Sequence, residues 1–137
     1  MSTTIPRVVP TDALVQLSFR VQAVLAAVGA GHDLSIVQMR LLGVLRDREP
    51  SMAELGLHLG LDKSSISGLV SRAQHRGLVQ RHASPDDGRS VLVSLTTEGR
   101  RLADRGTVEV EERLQELTGR LSEQQRRALS AVVKALV

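Results

Sequence analysis

Between Ser51 and Thr97 the chain sets out two short capped helices, a glycine turn between them, and two aliphatic segments around a cluster of turn formers. Pro50 shuts off any preceding helix. Ser51 and Glu54 predict a capping box, in which the serine oxygen accepts the amide of residue 54 and the glutamate returns to the serine N–H. Met52, Leu55, Leu59 and Leu61 keep one face apolar, and Gly60 suits a left-handed exit. Asp62 is a good N-cap for a second helix carrying Ile66, Leu69, Val70 and Ala73 at i, i+3, i+4 and i+7. Gly77 ends that helix. The pattern then shifts to a period of two in residues 78–82 and 91–95, with Ser84-Pro85-Asp86-Asp87-Gly88 between them, which predicts a β-hairpin. A helix-turn-helix followed at once by a hairpin is a winged helix-turn-helix, so the fold class expected is mainly α with a small β-hairpin wing.

The face of the second helix opposite its apolar stripe holds Lys63, Ser64, Ser65, Ser67, Gly68, Ser71, Arg72, His75 and Arg76, all short, polar or cationic. Such a face can enter the major groove of B-form DNA, where hydroxyls meet bases or phosphates and arginine pairs with guanine O6 and N7. The helix macrodipole favours phosphate near its start. His75 is a candidate phosphate contact. Arg89, at the hairpin tip, is placed to enter an adjacent minor groove, where negative potential is concentrated. Asp87 is positioned to hold that guanidinium, or to pair with Arg76 or Arg81. From Asp62 to Arg89 five basic residues (Lys63, Arg72, Arg76, Arg81, Arg89) face three acidic ones (Asp62, Asp86, Asp87), within a chain of formal net charge +3. That modest positivity suits salt-sensitive binding to an anionic partner. The competing reading, a solvated helix face beside a surface hairpin, gives no reason for the two elements to be adjacent.

Leu61-Asp62-Lys63-Ser64-Ser65-Ile66-Ser67-Gly68-Leu69-Val70, Arg76-Gly77-Leu78-Val79 and Ser84-Pro85-Asp86-Asp87-Gly88-Arg89-Ser90-Val91-Leu92-Val93-Ser94-Leu95-Thr96, with Glu98-Gly99, resemble the MarR (multiple antibiotic resistance regulator) transcription factors. The likeness extends to residues 34–42, where Ser35 and Gln38 form another capping box ahead of the helix-turn-helix. It implies a homodimer on a pseudo-palindromic operator, with Ser64, Ser65, Ser67, Gly68 and Arg72 facing the major groove, Arg89 in the minor groove and Asp87 as the matching wing aspartate. It also implies a repressor released by a small-molecule effector, held in a cleft between dimerisation helices and DNA-binding lobe. The lining residues it points to are Phe19, Arg20, His32 and Arg40. Phe19 is the single aromatic residue of the chain, and His32 beside Gly31 reads as an exposed loop histidine.

At 137 residues the chain suits one domain, yet 42% hydrophobic content exceeds what a small winged helix alone can bury. The surplus lies at the ends. Leu14, Leu17, Val21, Val24 and Val28 recur three and four residues apart, as do Leu129, Val132, Val133 and Leu136 in a last helix that begins at Ser122 with Gln125 as its capping-box partner. These ends either pack on each other within one chain or interlock with those of a second copy, and the resemblance favours the dimer. Thr97 to Thr118 alternates Glu and Arg, with Leu102, Val110, Leu114 and Leu117 inward, and reads as a long helix between the two ends in which Gly99 and Gly106 mark bends. The organisation expected is a single unit with dimerisation helices at 11–30 and 98–137 and the winged lobe at 34–97.

Other chemistries are excluded on residue grounds. The chain has no cysteine, which removes disulfides, thiolate zinc sites and thiol redox sensing. His32, His58, His75 and His82 lack metal-ligand spacing, so neither metal nor cofactor is expected. Serines lie near Lys63, but with no glycine-rich oxyanion turn, activating base or phosphate loop the chain does not read as an enzyme. No apolar run reaches membrane-spanning length and residues 1–7 form no signal peptide, which points to a cytoplasmic protein without a membrane partner. Residues 1 to about 9 read as a frayed tail that can pack across a partner subunit. Two other functions fit a winged helix: a protein-docking module, which calls for exposed large apolar residues on the second helix, and a nonspecific architectural DNA binder, which calls for many lysines. The helix offers serine, glycine and arginine, and Lys63 and Lys134 are the only lysines.

Overall fold

A computed structural model describes residues 9–137 and contains six helices and one hairpin: α1 (Pro10–Ala30), α2 (Ile36–Leu45), α3 (Met52–Leu59), α4 (Lys63–His75), β1 (Val79–Ala83), β2 (Val91–Leu95), α5 (Thr97–Thr118) and α6 (Glu123–Leu136). The frayed tail expected at the N-terminus falls, up to residue 8, outside the described residues.

Local chemistry sets the element boundaries. Ser35 and Gln38 close a reciprocal capping box on α2, and Ser122 and Gln125 do the same on α6. Asp62 caps α4, and Gly60 and Gly77 leave their helices at φ +65° and +74°, where a side chain would be strained. After Gly77 the Leu78 N–H reaches back to Ala73 O at 3.0 Å, which closes α4 and turns the chain into β1. The strands pair antiparallel with Val79 opposite Leu95 and Ala83 opposite Val91.

One of the expected capping boxes is only half made. Ser51 Oγ accepts the Glu54 N–H, but no return bond from Glu54 forms. The backbone here takes part in a long-range pairing: Ser51 bridges to Leu92, and Pro50 O accepts the Val93 N–H at 2.9 Å. This adds a short third rung to the wing, and β2 runs between β1 and residues 50–51.

The core lies under the winged lobe. Leu41, Leu42 and Leu45 of α2 meet Leu55 and Leu59 of α3, and Ile66, Leu69, Val70 and Ala73 of α4 join Val79 and Val93 of the hairpin in the same buried cluster. Ala103 of α5 belongs to it as well, so the long helix is anchored by its first turns. α5 runs unbroken through Gly99 and Gly106, so neither marks a break in the helix. Gly99 serves close approach instead: a Cβ there would fall 1.8 Å from Leu78 O.

The apolar ends do not cover each other within one chain. α1 packs on α5 and α2 and buries Val28 and Gly29, whereas α6 buries none of its residues. Leu14, Leu17, Val132, Val133 and Leu136 stay exposed, with Val21 and Leu129 half-buried. α1 is also long and apolar enough to cross a membrane, with mean hydropathy 1.5 over an 18-residue window. The expectation that no stretch reaches that length is therefore corrected. Gln16, Ser18, Arg20 and Gln22 interrupt the apolar run without lowering its average enough. Arg20 at the helix middle would cost about 3 kcal/mol in a bilayer centre on insertion scales.

Candidate nucleic-acid interface

α4 presents its polar side because its apolar side is fixed. With Ile66, Leu69, Val70 and Ala73 buried, Lys63, Ser64, Ser65, Ser67, Ser71, Arg72 and His75 are exposed and Gly68 is half-exposed. Asp62 holds the first turn: its Oδ1 accepts the Ser65 N–H at 2.7 Å and the Ser64 hydroxyl at 3.1 Å. The Ser65 amide bond first, and the Ser65 and Ser64 side chains next, hold the Asp62 carboxyl below its ordinary pKa. A lowered carboxyl pKa means that this cap is complete at neutral pH and is lost only as pH falls through the acid range. The cap also engages a donor that a phosphate could have used, so the helix start is less open to anions than the macrodipole alone predicts.

Gly68 has a specific role on this face. A Cβ there would lie 3.1 Å from Arg72 Nη1, so the Arg72 side chain is laid back along the helix over the glycine, one turn towards the N-terminus. The guanidinium is carried over the part of α4 richest in hydroxyls.

The wing tip is built before any partner arrives. Ser84 Oγ accepts the N–H groups of Asp86 and Asp87, both at 3.3 Å, and Asp87 carboxylate oxygens accept the Arg89 N–H at 3.0 Å and the Ser90 hydroxyl at 3.1 Å. Asp87 therefore holds the Arg89 backbone and, among the described residues, pairs with no guanidinium, neither that of Arg89 nor those of Arg76 and Arg81. Its carboxylate is engaged within the turn, so Asp87 positions Arg89. The Arg89 side chain is exposed and has no bonding partner among the described residues.

Arg81 joins helix and wing. From β1 its Nη2 donates to Ser71 Oγ at 2.8 Å and to Ser67 O at 3.4 Å. The sequence shows Arg81 only as one more basic residue on a strand. Its role as a brace could have been suspected from its place two residues after Val79, which puts both side chains on the same face of β1.

Arg76 departs most from expectation. Its guanidinium grips the corner between α1 and α2, with Nη1 donating to Asp33 O at 2.9 Å and Nη2 to His32 O at 3.2 Å.

A second feature lies behind the reading head. α1, α2 and α5 border a half-open cavity of about 220 Å³ lined by Leu25, Leu34, Ile36, Met39, Leu102 and Val110, with His32, Arg40 and Glu111. Of the four residues named from the sequence as effector-cleft candidates, His32 and Arg40 line this cavity and Phe19 and Arg20 do not. Phe19 is 65% exposed and Arg20 faces a surface groove beside Arg113 and Glu116. The reason is helical phase: nine positions separate Phe19 from buried Val28, which at 3.6 residues per turn puts them about 180° apart. His32 is not an exposed loop residue, because its Nε2 meets the Glu109 carboxylate of α5 at 3.0 Å with only 15% of the side chain accessible. No cluster of potential metal ligands occurs among the described residues.

Comparison with known proteins places this geometry. Residues 32–90 match the model of the MarR family. The chain is similar to the HTH-type transcriptional repressor NicR of Pseudomonas putida, 41% identical over 73 residues that make up 53% of this chain and 46% of that protein. It spans, then, about half the length of that relative. A probable transcriptional regulator from Pseudomonas aeruginosa is 33% identical, with 93% of this chain and 96% of that one covered at a TM-score of 0.75. MarR of Escherichia coli, in its apo form, is 25% identical, with 96% and 99% covered at a TM-score of 0.81.

Proposed function

Because the chain belongs to the MarR family of DNA-binding transcription regulators, we propose that it is a homodimeric repressor that binds a pseudo-palindromic operator and is released by a small molecule. The observation that carries this reading is the joint presentation of two exposed elements, the polar face of α4 and the preformed tip bearing Arg89, braced together by Arg81. Lys63, Ser64, Ser65, Ser67, Gly68, Arg72 and His75 face the major groove and its phosphates in this proposal, and Arg89 enters the minor groove. Asp87 and Arg76 support that surface without touching DNA.

Support for the dimer comes from α1 and α6. Leu14 and Leu17, with Val132, Val133 and Leu136, are exposed on one chain, and a second copy is the occupant that hides both sets at once. The same burial accounts for the apolar character of α1 without a membrane. Residues 11–30 and 98–137 then form the dimerisation part and 34–97 the reading head. Two heads related by a two-fold axis select half-sites about 10 bp apart, or a multiple of that, in inverted orientation. Repression is by occupancy of a promoter, with no catalytic step, in the cytoplasm where the DNA lies. The effector site is the cavity between α1, α2 and α5, whose apolar walls suit a compact, largely apolar molecule with a polar group for Arg40 or Glu111.

The test is fluorescence anisotropy at physiological salt, on duplex DNA from upstream of the protein's own gene, on duplexes selected from a random pool, and on a scrambled control. A preference of about 10³-fold or more over the control is expected of a specific reader, and equal, weak, salt-sensitive binding to every duplex overturns the reading. Arg72→Ala is expected to cost about 1–3 kcal/mol on the preferred site and to relax base choice at one position of each half-site. Arg89→Ala is expected to lower affinity and to erase the preference for a narrow minor groove, measured by exchanging A-tract flanks for mixed sequence. Unchanged binding by both variants would remove the assigned surface.

A further inference from the structure

The corner at residues 29–34 touches the cavity, the α5 helix that helps to line it, and the end of α4. The His32 ring and Leu34 wall the cavity, the His32 ring is also held by Glu109 of α5, and the carbonyls of His32 and Asp33 take the Arg76 guanidinium at the end of α4. We propose that Arg76 is a positioning residue through which occupancy of the cavity reaches the reading helix, by way of the His32–Asp33 corner. This inference rests on the cavity being the effector site of the repressor proposed above.

The corner is built to pass a displacement on rather than absorb it. Leu34 N–H and His32 N–H both bond Gly29 O, at 2.8 and 2.9 Å. A Cβ on Gly29 would lie 2.6 Å from Leu34 O and 2.7 Å from Met39 Sδ, so α1 and the start of α2 meet with no slack. Asp33 between them has φ +55°, and no other non-glycine described residue has positive φ. A group occupying the cavity under Leu34 and the His32 ring therefore moves the corner as a piece. Arg76 bonds two successive carbonyls of that piece, so its guanidinium follows, and with it the last turn of α4.

The protein supplies its own cavity-filling probes. Gly43 and Gly106 both line the cavity, and a Cβ on either meets nothing within 4 Å. Gly106→Leu and Gly43→Leu each add bulk at the cavity lining, so the coupling can be tested without knowing the effector. In full-length protein, filling the cavity by either variant is expected to weaken binding to the selected duplex about tenfold, within the usual range of allosteric coupling. Repeated in an Arg76→Gln background, the same filling is expected to change binding less than about twofold. Arg76→Lys, which keeps the charge but not the two-pronged grip, is expected to uncouple as Arg76→Gln does, and neither should alter the salt dependence. Equal fold-changes with and without Arg76, or no change on filling, overturn the proposal. So does a salt slope that falls by about 0.9 in Arg76→Gln and not in Arg76→Lys, since that marks a phosphate contact. If no duplex is preferred, the repressor reading fails separately, and amide exchange at residues 72–76 still decides the coupling. Filling the cavity should speed exchange there only while Arg76 is present, and equal exchange in both backgrounds overturns it.

Discussion

Gly99→Ala is expected to destabilise the chain by about 3 kcal/mol or more, the upper end of what overpacking costs. The added Cβ would lie 1.8 Å from Leu78 O and 2.8 Å from Leu78 C, backbone atoms that no rotamer change can move. The first turn of α5 would have to lift from the start of β1. That separation strains the Thr96 N–H bond to Leu78 O at 3.1 Å and the Thr96 hydroxyl bond to Gly77 O at 2.6 Å, and behind them the pairing of Val79 with Leu95. With total stabilities of about 5–15 kcal/mol common for single domains, the loss is a large share. Thermal unfolding followed by circular dichroism should show a fall in midpoint of roughly 10 °C. Gly106→Ala is the control on the same helix. Its Cβ meets nothing, so better helix propensity should raise stability by up to about 1 kcal/mol. A small effect at Gly99, similar in size to that at Gly106, would mean that α5 is not seated on Leu78 as described.

The second large effect is on assembly. Val132→Glu combined with Leu136→Glu is expected to yield a monomer by light scattering and to weaken binding to a palindromic duplex by roughly 10²–10⁴-fold, the gain that linking two heads ordinarily provides. Both side chains are exposed in the single chain, 49% for Val132 and 64% for Leu136, so charging them should leave the reading head folded. Far-ultraviolet circular dichroism and an unchanged weak affinity for a single half-site check that point. A dimer that survives the double substitution moves the interface away from α6.

What could be read in the sequence was short-range. The caps at Ser35, Asp62 and Ser122, the exits at Gly60 and Gly77, and the turn between the strands all depend on residues within a few positions of each other, where residue type and spacing settle the chemistry. Glu54 shows the limit of such reasoning, because its spacing offers a return bond to Ser51 that does not form where residues 50–51 pair with β2. The long-range roles were hidden. Arg76 meets carbonyls more than forty positions earlier, and His32 meets Glu109 across 77. Neither pattern alone nor charge could distinguish Arg76 from Arg72, since both are cations near the end of one helix and only the position of the α1–α2 corner separates them. Phe19 shows a related limit: periodicity puts it on a helix, but the phase of that helix against α5 is not legible in the sequence.

The state of α6 has a consequence for how long each molecule lasts. Its start is well capped, yet it buries no side chain, while fixing a backbone residue costs about 1–2 kcal/mol. A lone chain holds this segment weakly, and weakly held segments are where proteases cut first. If a second copy is what covers α6, survival rises with abundance: scarce chains are trimmed and plentiful ones protected. The lifetime of this regulator would then depend on its own concentration, which sharpens the contrast between a cell that has begun to make it and one that has stopped.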